Sequence, residues 1–336
     1  MKIFFDMAWH NMGGIGRFSS NVSLKLKWKT VYFKSHSRNP ASPLVVLLLL
    51  KKLFLWRKNN VVMFPGYIPP LYSRARFIFT IHDLNHIDRP ENNSLFKSVF
   101  YNTIILNGCK NASKILTVSE YSKEKIVEWA RVPPSKVVNV GNGVDVLFST
   151  DVAPYNPGYS YLICVSNRKL HKNECRLIEA FSKSNICHDI RLLFTGSAND
   201  YISMKIKELK LEDKIVFCGR VSDQELPSLY RGALGLVFPS LYEGFGLPVV
   251  EAMASGIPVL TSNTTSLPEV AGDAALLVNP ESVDEIRVGI ERLVHDETLR
   301  TELIAKGLER AKLFSWDAVA ARVQAVLDEV TSQYGK

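Results

Sequence analysis

The sequence predicts an α/β protein built from two doubly wound parallel sheets. The chain has 336 residues, long for one core and comfortable for two of roughly 150 residues each. Short apolar runs alternate with helical patterns along it, as buried parallel strands and their crossover helices require. Near the midpoint, Pro154, Pro157 and Gly158 break the alternation with the composition of a linker.

The strand-like runs of the first half fall at residues 3–5, 31–33, 61–65, 77–81, 115–118 and 137–140. Those of the second half fall at 161–165, 191–195, 215–218, 235–238, 258–261 and 275–278. The pattern gives one domain over residues 1–155, a second over 156–315 and an amphipathic terminal helix over 316–336. Residues 44–56 are apolar but for Lys51 and Lys52. As a helix they span about 20 Å, too short to cross a bilayer core of about 30 Å. They either lie on a membrane, with Lys51, Lys52, Arg57 and Lys58 toward phosphates and Leu53, Phe54 and Trp56 dipping inward, or form a core helix with a basic end.

A hydrophobic content of 46% with 22% charged residues marks an ordinary globular protein rather than a disordered one. At the N-terminus Asp6 follows Ile3-Phe4-Phe5 too soon for a secretory signal core. The five cysteines (Cys109, Cys164, Cys175, Cys187 and Cys218) form no CxxC pair, which points to free thiols in a reducing cytoplasm rather than disulfides or zinc. The net charge of +8 is uneven: residues 1–150 hold 21 Lys and Arg against 8 Asp and Glu. Such a surplus suggests that the first half meets an anionic partner. With no nucleic-acid signature in sight, an acidic membrane surface is favoured over nucleic acid.

The chemistry concentrates in Pro239-Ser-Leu-Tyr-Glu-Gly-Phe-Gly-Leu-Pro-Val-Val-Glu251, where Glu243 and Glu251 flank a glycine-rich turn. Gly244 and Gly246 free the backbone, and Pro248 suits the first turn of a helix. Glu243 is therefore expected on a strand exit and Glu251 on the following helix, at the carboxyl edge where open α/β sheets bind ligands. The 161–165 strand exits at the same edge into Ser166-Asn-Arg168-Lys-Leu-His-Lys172-Asn, a basic loop suited to phosphate oxygens. In the first half, Gly13-Gly14-Ile15-Gly16-Arg17 opens a helix after the first strand. As a dinucleotide fingerprint it fails, because the frame ends in Ser19 and the next strand runs into Lys34 instead of an acid. His82 ends the 77–81 strand, with Asp83 as a cap for the next segment, and Ser119 or Ser122 as the cap of a helix from Lys123.

The run EGFGLPVVEAMASGIPV resembles the Glu-x7-Glu motif of the retaining glycosyltransferases of family four, which have the GT-B fold of two Rossmann-like domains facing a cleft. The resemblance is specific over residues 161–268 and diffuse before residue 81. It implies transfer of a hexose from a nucleotide diphosphate sugar to an acceptor hydroxyl with retained configuration, the acceptor proton passing to the departing phosphate. Arg168 and Lys172 are implied on the diphosphate, with Gly14 and Gly16, and His82 on the sugar or diphosphate. Glu243 is implied on the donor sugar and Glu251 on the ribose. Val221 is implied at the base, and Phe245, Gly246 and Leu247 along the donor. The family further implies an Asn142-Gly-Val-Asp145 hinge and a last helix that crosses back to the first domain. It implies no cofactor and no metal, in keeping with the lack of an Asp-x-Asp motif.

By the same resemblance the pathway is surface polysaccharide, of lipopolysaccharide or O-antigen type. GDP-, UDP- and dTDP-linked sugars stay open, with mannose or rhamnose preferred. The acceptor is expected to be lipid-linked, and the enzyme peripheral on the inner face of the cell membrane. Two other readings stand beside this one: a UDP-N-acetylglucosamine epimerase on the same fold, and a silent nucleotide-sugar-binding module.

Overall fold

The computed structural model describes all residues except 1, 11, 27, 32–43, 55–59, 90–93, 187 and 333–336. Tyr32, Phe33, Lys34, Trp56, Arg57, Lys58 and Cys187, which figured above, lie outside the described residues. The chain divides into two compact units, Met1–Gly143 with Trp316–Lys336, and Val144–Ser315.

The first unit holds a parallel sheet of β1 (Lys2–Asp6), β2 (Lys29–Val31), β3 (Asn60–Phe64), β4 (Arg76–Thr80), β5 (Lys114–Thr117) and β6 (Val137–Asn139), in the order β2-β1-β3-β4-β5-β6. Its strands are apolar on both faces because helices cover both faces. In β3, Val62 and Phe64 join one core cluster with Phe79, Ile105 and Ile115, while Val61 and Met63 join the opposite cluster with Phe5, Phe18 and Ile78. The helix Trp316–Ser332 completes that second cluster with Trp316, Val319, Val323, Leu327 and Val330. Gly143 lies so close to the Trp316 ring that an added Cβ would stand 2.5 Å from it.

The helix Leu44–Phe54 turns Val45, Val46, Leu49 and Leu53 into the first core cluster. Leu53 is fully buried, so among the described residues this helix has the core role, and Leu53 does not face a membrane. A different apolar surface is open. Leu95, Phe96 and Val99 of the helix Leu95–Phe100 are 85%, 65% and 55% exposed.

The second unit has β7 (Tyr161–Cys164), β8 (Arg191–Phe194), β9 (Ile215–Phe217), β10 (Leu236–Phe238), β11 (Val259–Ser262) and β12 (Leu276–Val278), all parallel and ordered β12-β11-β10-β7-β8-β9. The first strand sits in the middle, and the winding reverses between β7 and β10, where Ile163 pairs with Leu236. Loops leaving two such strands diverge to opposite faces and leave a crevice at the carboxyl edge. The division between units falls before Val144, earlier than the Pro154–Gly158 linker. The intervening residues belong to the second unit: Val144 N donates to Phe314 O, Tyr155 N to Ser228 O, and Phe148 meets the Tyr230 ring edge-on at 5.8 Å.

Candidate active site

The loops after β7 and β10 carry the basic and acidic residues, and they meet at the reversal point. Lys172 Nζ lies 2.6 Å from Glu243 Oε1, with both side chains about nine-tenths buried. The ammonium also sits 5.1 Å above the Phe238 ring, at the end of β10.

This pair is held by polar stitching between segments remote in sequence. Asn173 takes a left-handed backbone (φ 62°), which asparagine tolerates better than most residues. Its Nδ2 donates to Pro239 O at 2.9 Å and to Pro280 O at 2.6 Å, tying the β7, β10 and β12 exits together. Its Oδ1 accepts from Arg176. The buried His171 offers its carbonyl to Leu241 N and Ser240 Oγ. On the other side, Glu243 N donates to Thr265 Oγ1 at 3.3 Å, and Ser266 Oγ donates to the carbonyls of Glu243 and Phe245 at 2.9 and 3.0 Å. Asn173, Thr265 and Ser266 are site-building residues for which sequence reading found no role. Their signal was placement alone, each in a segment that follows a strand: Asn173 nine residues past β7, Thr265 and Ser266 three and four past β11.

Arg168 does not join Lys172. Its Nε donates to Ser197 O, its guanidinium bonds Thr195 O, Ser166 Oγ and the Glu174 carboxylate, and its face lies 5.1 and 5.2 Å from the Phe194 and Phe217 rings. The Arg168 guanidinium is thus held by the ends of β8 and β9 and by Glu174. The reason is the buried acid: burial raises the Glu174 carboxyl above its usual range, and the neighbouring Arg168 and Lys172 charges pull it back down. A carboxylate this buried needs a cation beside it.

Glu251, on the helix Leu247–Ala254, is 3% exposed, and its Oε2 accepts from Tyr230 Oη at 2.9 Å. Gly246 precedes that helix at φ 104°, and an added Cβ would stand 2.6 Å from Leu267 Cδ2, so glycine is required there. No side chain caps this helix start. Phe245 is buried against Phe314, ring centroids 5.5 Å apart, while Leu247 is half-buried. Val221 lies half-buried after β9, just before Ser222 and Glu225, which cap each other reciprocally.

In the first unit, Gly14 and Gly16 lie in the first turn of the helix Gly13–Lys25, which opens where the sequence predicts, with Gly14 exposed and Gly16 buried. The positive φ falls on Gly13. His82 Nε2 meets Pro65 O at 2.9 Å, and its ring packs edge-on against Phe18. A carbonyl only accepts, so Nε2 carries the proton and Nδ1 of the neutral ring is an acceptor. Burial holds the imidazole below its ordinary value, against the opposing pull of the Pro65 carbonyl and Asp83, which favours that neutral form. Asp83 Oδ1 accepts from Asn85 N, and Ser119 caps the helix Glu120–Ala130 through Ser122 N.

Two doubly wound parallel sheets, the second with a Lys–Glu pair at its reversal point, place the chain in the GT-B class. Solved structures share this fold over nearly the whole chain. Sucrose-phosphate synthase from Thermosynechococcus elongatus aligns with TM-score 0.79 at 17% identity, covering 99% of this chain and 100% of that one. WaaG, a glycosyltransferase involved in lipopolysaccharide biosynthesis, aligns with TM-score 0.74 at 15% identity over 98% and 99%.

Residues 150–310 match the family of glycosyl transferases group 1, and residues 21–147 match glycosyltransferase family 4. The chain is 31% identical over 269 residues to O-antigen chain mannosyltransferase B of Escherichia coli, covering 75% of this chain and 69% of the relative. It is 31% identical over 237 residues to O-antigen chain mannosyltransferase RfbU of Salmonella typhimurium, with coverage of 70% and 65%. It is 33% identical over 228 residues to the MMP alpha-(1->4)-mannosyltransferase of Mycolicibacterium hassiacum, covering 66% of this chain and 55% of that one. The chain belongs to the group 1 glycosyltransferase family and is a glycosyltransferase.

Proposed function

We propose that this glycosyltransferase moves mannose, with retention at the anomeric carbon and without a metal, from a nucleotide diphosphate donor to a lipid-linked acceptor in O-antigen assembly. The observation that carries the reading is the Lys172–Glu243 pair at the reversal point of the second sheet. In the reaction the bond from the anomeric carbon to phosphate oxygen breaks, and the acceptor oxygen bonds that carbon on the same face. The acceptor proton leaves on the departing diphosphate.

That diphosphate gains negative charge as the bond breaks, and a cation aimed at it lowers the barrier. Lys172 has the reach and the charge for this; on donor binding its ammonium exchanges Glu243 for phosphate oxygens. Glu243, so released, accepts from donor sugar hydroxyls. The start of the helix beyond Gly246, with no side-chain cap, adds a favourable dipole for the same charge. Glu251 takes the ribose hydroxyls. Arg168 acts through the loop it pins, not on the phosphates. His82, neutral and with Nδ1 as acceptor, suits a sugar hydroxyl rather than a phosphate.

The names of the relatives support mannose and O-antigen, and the lysine supplies the charge that a metal would otherwise bring. The test is incubation with GDP-mannose, alongside UDP- and dTDP-sugars, and a polyprenyl-pyrophosphate-linked acceptor. An α-linked product from an α-linked donor, formed at a rate unchanged by EDTA, is expected. A β-linked product, or an epimer formed without acceptor, overturns the assignment.

A membrane-facing role for the first unit rests on its basic surplus and on the open Leu95, Phe96 and Val99, with Lys97 in their midst. No helix among the described residues is long and apolar enough to cross a membrane, so peripheral attachment at the inner face of the cell membrane is proposed. Flotation should recover the protein with vesicles containing phosphatidylglycerol and far less with phosphatidylcholine alone. Leu95→Glu with Phe96→Glu should reduce recovery about tenfold, by loss of roughly 1.5 kcal/mol or more of apolar burial. Equal recovery on both vesicle types removes the proposal.

A further inference from the structure

We infer that Tyr230 is a positioning residue that sets the discrimination between ribose and 2′-deoxyribose donors. The inference rests on the reading of Glu251 as the ribose contact. Tyr230 is fully buried on the helix Leu226–Gly232, and its hydroxyl donates to Glu251 Oε2 at 2.9 Å. The donor is rigid because its helix is tied on several sides. Tyr155 N donates to Ser228 O, Tyr161 Oη to Leu229 O at 2.7 Å, and Arg231 to Ser255 O at 3.1 Å, while Phe148 presses edge-on against the Tyr230 ring.

A glutamate side chain has several rotamers, and a diol is recognised in two places only if the carboxylate plane is fixed. A neutral phenol suits the task better than a cation. It holds one oxygen of Glu251 in place without cancelling the carboxylate charge, which stays available to the ribose hydroxyls. A site built to bond a hydroxyl rejects the analogue that lacks it, because the acceptor is then left buried and unpaired. Removing the phenol oxygen takes away this restraint on the carboxylate and erodes that rejection, while the ring and its packing on Phe148 remain.

The experiment is calorimetric titration of GDP against 2′-deoxy-GDP, and UDP against dUDP, on the full chain and on Tyr230→Phe and Glu251→Ala. The unaltered protein is expected to prefer the ribonucleotide of the base it accepts by about tenfold, the worth of one hydrogen bond to a charged group. Tyr230→Phe should cut that preference about fivefold, leaving the Kd of the 2′-deoxy form within twofold. In transfer assays the donor KM rises while kcat stays within twofold. If Glu251→Ala erases the preference but Tyr230→Phe leaves it intact, Tyr230 does not position the carboxylate and the inference falls alone. If Tyr230→Phe weakens both sugars equally, the tyrosine is merely structural, and the inference again fails. If neither variant alters the preference, Glu251 is not the ribose contact, and the reading beneath the inference goes with it.

Discussion

Lys172→Ala is expected to lower kcat for transfer by about 10² to 10³-fold, the usual cost of removing one charge-stabilising group from a reaction centre. The Lys172 ammonium is largely buried between Glu243 and the Phe238 face. The substitution also leaves Glu243 without this partner in a largely buried position, which costs stability by roughly 1–3 kcal/mol. The two effects are separable. Adding Glu243→Gln to Lys172→Ala removes the stranded charge and should restore much of the stability, but none of the activity. Product assays and urea titration of the single and double variants read both quantities. An activity loss of less than tenfold in Lys172→Ala would remove the lysine from the chemistry.

Asn173→Ala is the second large effect, felt first in stability. It deprives Pro239 O and Pro280 O of their Nδ2 donor and forces alanine into a left-handed backbone. A loss of about 2–4 kcal/mol follows, or a melting point lower by roughly 5–12 °C for a unit of this size. Because the bonds hold the two loops that meet at Lys172 and Glu243, donor affinity falls with them. Asn173→Gly separates the contributions: it accepts the backbone angle but supplies no amide. It should recover about 1 kcal/mol and no donor affinity. Full recovery in the glycine variant, followed by calorimetry and nucleotide titration, would show that the amide does not organise the site.

The fold was largely legible because buried parallel strands are short, apolar and flanked by turns. Each of the twelve runs read from the sequence lies on one of the strands β1 to β12. The second run, at residues 31–33, reaches the described strand Lys29–Val31 only at Val31. The alternation that marks these runs is local, so a reader of letters can see it. The site was legible in part. Lys172 and Glu243 could be placed at one edge because each follows a strand end, and Gly246 marked a turn closed to other residues.

What stayed hidden depends on partners distant in sequence. Arg168 and Lys172 look alike in a basic loop, and nothing in the letters says that Glu174 and the carbonyls of Thr195 and Ser197 draw the arginine inward. Residues 44–56 were equally consistent with core and membrane, since an all-round apolar helix satisfies both environments. Burial of Leu49 and Leu53 gives the described helix Leu44–Phe54 its core role. The open apolar trio at Leu95, Phe96 and Val99 escaped notice because one short turn of exposed side chains leaves no periodic trace.

The return of the helix Trp316–Ser332 to the first unit has a bearing on biogenesis. Val144–Ser315 is continuous and can finish folding during synthesis, once its last strand and helices have left the ribosome. The earlier-made unit must wait, with Phe5, Phe18, Val61 and Met63 lacking their cover until the last helix emerges. The order of completion thus runs opposite to the order of translation, and the first-made half is the one in longest need of a chaperone.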